Sequence, residues 1–418
     1  MKRRVRLRIP PELWLFGFAL AIRLLAWLPV GWQHEPYPDE ASYLRLAHNL
    51  LTSGTYGEQP RVPDASRPPM TSVIVAMPGL LGLPLKGPFV VFQMLCGAIL
   101  PVIGFRITTA LSGPPAAWLC GLFLASYPPL WLFYEQHVLS EVTGVLFLLL
   151  AVGATSMATR RGGAVLEGLA GVLWALCALS RTILAPLFAA TVLISIPLVA
   201  RGRRRRFAGI ILLGFCLGYG PWVARNAVSL DSFVLFTDQG DQSRAAAYHY
   251  SNFMARGMDW NEARRATYDA IERSTTTPVM QLSERIRHAL DRLLIMTGTH
   301  PKVGRRFPVS GPLLKKIPSI AYVSHFWHGM LFLGLVAFVV SAALGYLQRQ
   351  DIAVFAIAIM LILGHALTLA IPRYQILPFC LLAIPSAQGL SIAWRRAAIV
   401  ARIQAKMAAH QPKDHRDS

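Results

Sequence analysis

The sequence predicts an all-α fold, a polytopic membrane helix bundle of about ten transmembrane helices with two outer-face loops carrying juxtamembrane helices. Three observations predict it. Hydrophobic residues make up 54% of the 418 residues and charged residues only 15%, and mean hydropathy is +0.45; a soluble domain carries roughly 25% charged residues. Apolar runs of bilayer-spanning length, about 20 residues, recur along the whole chain. The basic residues gather on alternate connections between those runs. A cytosolic enzyme is excluded by this composition.

The runs fall at 13–30, 89–105, 115–134, 142–158, 164–180, 182–200, 207–223, 326–346, 352–371 and 376–394. The first follows Lys2, Arg3, Arg4, Arg6 and Arg8. It is too long for a secretory h-region and lacks a small-residue cleavage site, so it reads as a retained span. One further run, 70–85, is short and broken by Pro78, Gly79, Gly82 and Pro84. Charge decides its placement. If it does not cross, Arg160 and Arg161, the 201–206 run, Arg349, and Arg395, Arg396 and Arg402 all share the cytoplasmic side with the N-terminus, as the positive-inside rule requires. If it crosses, every one of these clusters turns outward. The run is therefore a juxtamembrane or re-entrant piece on the outer side, and there are ten crossings. The excess of 41 Lys and Arg over 21 Asp and Glu, a net +20, has the same explanation, and no nucleic-acid partner is needed.

This topology makes 1–408 a single transmembrane domain with outer loops at 31–88 and 225–322, followed by a polar, disordered tail at 409–418. Within the second loop, 260–273 and 283–296 have helical spacing. Cys96, Cys120, Cys177, Cys216 and Cys380 all lie in apolar runs, so neither a disulfide framework nor a zinc site is indicated.

Orientation explains the inner arginines and leaves a set of outer-face polar residues unexplained: Asp39, Glu40, His137, Glu141, Arg181, Arg225 and Arg373. Ionisable groups at the edge of a lipid-embedded bundle are costly unless paired or functional. Pro38 opens a helix that runs to Thr52 and stops at Gly54, with Asp39 and Tyr43 four apart on one side. Asp39 is either the N-cap of that helix or a functional carboxylate. Glu141, at the next outer turn, could join Asp39 and Glu40, and paired carboxylates suit general-base work or a hard divalent cation. His137 has no HxxxH or HExxH companion and reads as structural before it reads as a ligand. Arg181 interrupts an apolar stretch, and Arg225 and Arg373 end spans on the outer side. They read either as interfacial anchors or as a phosphate site, for which the bidentate guanidinium is well suited. Arg23, in the first span, reads as a snorkelling side chain.

Six stretches carry a family resemblance: YPDEASYLRLAHNLLTSGTYG in the first loop, RPPM from Arg67, YPPLWLFYEQHVLSE, GVLWALCALSRTILAP around Arg181, GPWVARNAV around Arg225, and PRYQILPFCLLAIPSAQGL from Pro372. In order and placement the chain resembles the GT-C superfamily of integral-membrane glycosyltransferases, in its protein-mannosyltransferase, aminoarabinose-transferase and RgtA-like branch. The resemblance implies inverting transfer of a sugar from a polyprenyl-phosphate donor to a hydroxyl acceptor (glycan, lipid or protein). It places the enzyme in the bacterial plasma membrane, with membrane lipids around it and the active site extracytoplasmic. Asp39 takes the general-base position, with Glu141 as second acid and Glu40 beside them. Arg225, Arg373 and Arg181 are implied near the lipid phosphate, and Tyr43, Arg67, His137 and Tyr374 as further substrate contacts. Some members bind a divalent metal at the acids, here Asp39 and Glu141; the resemblance leaves that open. Related mannosyltransferases carry HPPLGK where this chain has Arg67 before the prolines and no Lys close after. A transporter or flippase is the rival reading, and it calls for mid-bilayer charges and two related halves; here the polar residues favour span ends and loops, and no related halves are found.

Overall fold

The structure is a computed structural model that describes residues 9–28, 38–237, 245–246, 248–250, 252–253, 256, 258, 260–273, 283, 286–290, 320–367 and 375–409. The helices, in chain order, are α1 (Pro11–Trp27), α2 (Pro38–Ser53), α3 (Pro69–Ala76), α4 (Lys86–Ser112), α5 (Pro114–Ser126), α6 (Glu141–Arg161), α7 (Ala164–Ser180), α8 (Leu184–Ser195), α9 (Arg204–Ser229), α10 (Trp260–Arg273), α11 (Ile320–Ala343), α12 (Arg349–Leu367) and α13 (Ile376–Ala409). Among the described residues there is no strand, only an isolated bridge between Gln59 and Val62. The fold is an all-α, multi-pass membrane bundle.

Helix occupies most of the described part of each of the ten predicted spans; seven of the described helical stretches are long and apolar enough to cross a bilayer, and α1, at 17 residues, falls just short of that length. α7 and α8 are shorter apolar helices joined at Arg181. The ambiguous run is α3 followed by a 3-10 turn over Met77–Leu81, which ends on Gly82 in the left-handed region at φ 72°. At 13 residues Pro69–Leu81 is the shortest of the apolar helical stretches among the described residues, about 20 Å long against about 30 Å of hydrocarbon. α13 extends 15 residues beyond the predicted span. The Arg395–Ala409 stretch is rich in Ala, Arg, Gln and Lys, all good helix formers, and has neither Gly nor Pro to stop it. In the second loop α10 forms as its spacing predicts. Of the 283–296 segment only 283 and 286–290 are described, as helix, and the 410–418 tail lies outside the described residues.

α13 is the central helix, with 83% of its spanning window buried, while α9 and α11 are peripheral at 28% and 22%. The outer helices seat on their neighbours through glycine. A β-carbon at Gly171 or Gly214 would overlap backbone of the facing helix in the α7–α9 pair, and one at Gly389 would overlap Gly334 in the α11–α13 pair. Small residues of this kind let membrane helices approach closely.

The connections alternate between the two ends of the bundle. The start of α4, the α5–α6 turn, the α7–α8 turn and the end of α9 share one end, and α2 with the 54–68 loop lies against it.

Candidate active site

α2 is set by sequence at both ends. Pro38 occupies its first position, where a missing N–H costs nothing. Gly54 follows its end at φ 67° and donates its N–H to the Leu50 carbonyl at 3.2 Å. The helix starts at Pro38, so Asp39 lies inside the first turn and is not its N-cap. Its side chain is 17% exposed and meets the Arg67 guanidinium, 26% exposed, at 2.6 Å. One turn on, the Arg67 guanidinium carbon stands 5.8 Å from the centre of the Tyr43 ring. Burial pushes the Tyr43 hydroxyl up from its ordinary range, against the opposing effects of Arg67 and of a hydrogen bond to Ser140. Tyr43 therefore stays a neutral hydroxyl.

Ser140 joins this group to a second one. Arg181, in an extended conformation between α7 and α8, donates to Ser140 Oγ at 3.2 Å and pairs with Glu141 at 3.0 Å. Glu141 opens α6, where the helix dipole favours an acid, and is 1% exposed. The Arg181 stem lies over Gly144, one turn along: a β-carbon there would stand 3.1 Å from Arg181 Cδ. Asp39, Arg67, Tyr43, Ser140, Arg181 and Glu141 thus make one connected constellation, drawn from α2, the first loop, the α5–α6 turn and the α7–α8 turn.

Glu40 belongs to a different one. Successive helical residues point about 100° apart, and Glu40 turns from Asp39 into the protein. It is fully buried, between Lys86 Nζ at 2.8 Å and His137 Nδ1 at 2.9 Å. Gln93 donates to the His137 carbonyl at 2.6 Å. A hydroxyl acceptor has no route to Glu40, which ties α2 to the start of α4 and to the outer turn. His137 takes part as the partner of a carboxylate.

Arg225 is also placed away from the acids. Both terminal guanidinium nitrogens donate to protein oxygens: one to the Asp64 carbonyl at 2.7 Å and to Asn226 Oδ1 at 3.0 Å, the other to the Tyr56 carbonyl. Arg373 and Tyr374 lie outside the described residues. Arg23 does not snorkel: it is buried, with Nε 2.8 Å and one terminal nitrogen 2.8 Å from the two oxygens of buried Glu135. Among the described residues no three His, Cys, Asp or Glu side chains come together, and Asp39 and Glu141 each face a guanidinium.

Three members of these groups have no distinctive signal in the sequence: Ser140, Lys86 and Tyr56. Ser140 precedes a helix, where serine is an ordinary cap residue, although here its side chain caps nothing. Lys86 and Tyr56 read as interfacial residues.

No family model and no curated protein matches the sequence. Solved structures match the fold. An Archaeoglobus fulgidus oligosaccharyltransferase, AglB, in complex with an inhibitory peptide and a dolichol-phosphate aligns over 94% of this chain and 52% of its own, at 14% identity and TM-score 0.57. The Archaeoglobus fulgidus oligosaccharyltransferase in complex with Zn and sulfate aligns over 96% and 51%, at 14% identity and TM-score 0.57. ArnT from Cupriavidus metallidurans in the apo state aligns over 94% and 63%, at 14% identity and TM-score 0.55. The chain spans about half the length of the oligosaccharyltransferase and under two thirds of ArnT. It shares the transmembrane fold of these solved structures.

Proposed function

We propose that the protein transfers a sugar, with inversion, from a polyprenyl-phosphate donor to a hydroxyl acceptor on the extracytoplasmic side of a bacterial plasma membrane. The observation that carries this reading is the connected constellation at one end of the bundle. It holds a partly exposed carboxylate, Asp39, with two guanidiniums, Arg67 and Arg181, joined through Tyr43 and Ser140. The dolichol-phosphate bound to the archaeal neighbour agrees with a lipid-phosphate donor.

In this reading the acceptor O–H gives its proton to the Asp39 carboxylate while the oxygen attacks the anomeric carbon. The bond from that carbon to the phosphate oxygen breaks on the opposite face, and its electron pair leaves with the polyprenyl phosphate. Negative charge grows on the phosphate as the bond breaks, and Arg67 and Arg181 stand ready to meet it. Neither needs a large move to do so, because Tyr43 and Glu141 already fix them. Glu141 acts as the counterion that holds Arg181, and Glu40 as a structural tie. An acceptor approaches from the aqueous side, under the second loop.

The test is genetic and chemical. Deleting the gene should deplete one sugar from the cell envelope and accumulate it on a polyprenyl phosphate, both read by mass spectrometry. Asp39→Asn should reproduce the deletion at unchanged membrane level, with transfer lowered about 10²- to 10⁴-fold, the usual contribution of a general base. Full complementation by Asp39→Asn removes Asp39 from the chemistry. A deletion strain with unaltered lipid-linked sugars and envelope glycans ends the reading.

A further inference from the structure

The end of α9 grips the first loop at several points. Arg225 holds the Asp64 and Tyr56 carbonyls. Its guanidinium carbon also lies 5.5 Å from the centre of the Tyr56 ring and 5.3 Å from that of Trp222, and the Tyr56 and Trp222 rings meet edge to face at 5.4 Å. The Tyr56 carbonyl additionally accepts the Asp64 N–H at 3.1 Å. Beyond the ring, the Tyr56 hydroxyl donates to the Arg67 carbonyl at 3.0 Å, with the Pro68 carbonyl at 3.3 Å. Burial pushes that hydroxyl up from its ordinary range, so it stays a donor. A continuous set of contacts therefore runs from Arg225 through Tyr56 to the backbone of Arg67, whose side chain meets Asp39.

We infer that Arg225 and Tyr56 are positioning residues that set the Arg67 guanidinium beside Asp39, and that Arg225 acts on the donor phosphate through Arg67 and not by contact. The inference rests on the proposed donor for what Arg67 binds, and on geometry alone for what holds Arg67. Arg67 follows a loop closed by tight turns: Arg61 adopts φ 63°, and a β-carbon at Gly57 would overlap the Val62 carbonyl. Such a loop hands on the position of its anchor, because its own conformations are few. Asp64 stiffens it further by accepting the Ser66 N–H at 3.0 Å and the Ser66 hydroxyl at 2.8 Å.

Two conservative variants separate action through Arg67 from direct contact. Tyr56→Phe keeps the ring and removes the donor to Arg67; Arg225→Lys keeps the charge and removes the bridge between two carbonyls. Binding of farnesyl phosphate, a short polyprenyl phosphate, is measured on the full-length protein in detergent micelles. Each variant should weaken binding about 3- to 10-fold, the worth of one or two hydrogen bonds. In an Arg67→Gln background each should change it less than about 2-fold, because residues acting as one unit are not additive. Undiminished weakening by Arg225→Lys in that background means that Arg225 touches the phosphate, and overturns the inference. Hydrogen exchange supplies a readout without ligand. The bonded amides of Asp64 and Ser66 should exchange about tenfold faster in both variants while α4 is unchanged; unaltered exchange also overturns it. If the unsubstituted protein binds no farnesyl phosphate, the donor assignment fails, and the exchange rates alone decide whether Arg225 and Tyr56 hold the Arg67 segment.

Discussion

Gly144 decides whether Arg181 reaches its partners. The arginine stem crosses α6 at that residue, with 3.1 Å and 3.5 Å from a hypothetical β-carbon to Cδ and Cγ. Gly144→Val should lift the stem off α6, separating the guanidinium from Ser140 Oγ and from buried Glu141. Breaking a buried pair from one side costs about 3–5 kcal/mol, so thermal unfolding in detergent should come several degrees earlier and sugar transfer should be lost. Gly144→Ala, needing only a few tenths of an ångström from the stem, should fall between. If Gly144→Val melts with the unsubstituted protein, this contact does not fix the Arg181–Glu141 pair. Asp39, Glu141 and Arg181 were legible in the sequence because charge topology gave them no other purpose, whereas Arg67 entered only through the resemblance carried by RPPM. Their sorting was not legible. Asp39 and Glu40 are neighbours in sequence, and only the rotation of α2 sends one toward Arg67 and the other into Lys86 and His137. Arg225 reads like a phosphate ligand for the same reason: a guanidinium at a span end gives no sign, in sequence, of whether it faces a ligand or two carbonyls of its own chain.

At the scale of helices, the apolar runs locate every span, yet they hide how the spans are locked together. Arg23 in α1 and Glu135 after α5 are each a lone charge in an apolar context. Together they form a bidentate pair whose remaining guanidinium nitrogen donates to the Ala19 and Ala125 carbonyls at 3.0 Å and 3.2 Å. The pair fits only because α4 presents Gly97 to it. A β-carbon at Gly97 would overlap Glu135 Oε1 and stand 2.7 Å from Arg23 Nε. Gly97→Ala should therefore push these buried charges apart at the meeting of α1, α4 and the α5–α6 turn. In a helix interior Ala is otherwise favoured over Gly by about 1 kcal/mol, so the sign of the change is diagnostic. We expect lower yield of folded protein and a lower unfolding midpoint. Unchanged or raised stability would show that the pair has room to shift. Helix ends were less legible than helix existence. α13 runs on past its apolar stretch because its polar continuation is itself a good helix former, a property independent of the hydropathy that marks a span.

The whole molecule divides its charge between two ends. α6 carries Glu141 at its start and Arg160 and Arg161 at its finish, and 21 helical residues separate them by about 30 Å, one hydrocarbon thickness. The basic end is a built surface. Arg160 bonds Gln350 of α12 and the Ala110 carbonyl of α4, Arg203 bonds the Thr159 carbonyl, and Arg395 bonds the Ser112 carbonyl. Those contacts bring the ends of α4 and α6, the starts of α9 and α12 and the Arg395 turn of α13 to one level, opposite the Asp39 constellation. In the reading proposed above, the positive-inside rule puts that level in the cytoplasm and the acids on the other side of the membrane. Two exposed valines mark the two ends: Val62, in the first loop, and Val165, at the start of α7. In a variant with the five native cysteines replaced, Val62→Cys should react with a membrane-impermeant maleimide added to intact cells from which any outer barrier has been removed. Val165→Cys should react only after the membrane is opened. The reverse pattern would put Asp39 on the cytoplasmic side, where a lipid-linked donor would have to be used before it is flipped, and would overturn the extracytoplasmic site. Labelling of both from outside would mean an even number of crossings among α4, α5 and α6, although each lies in a stretch long and apolar enough to cross.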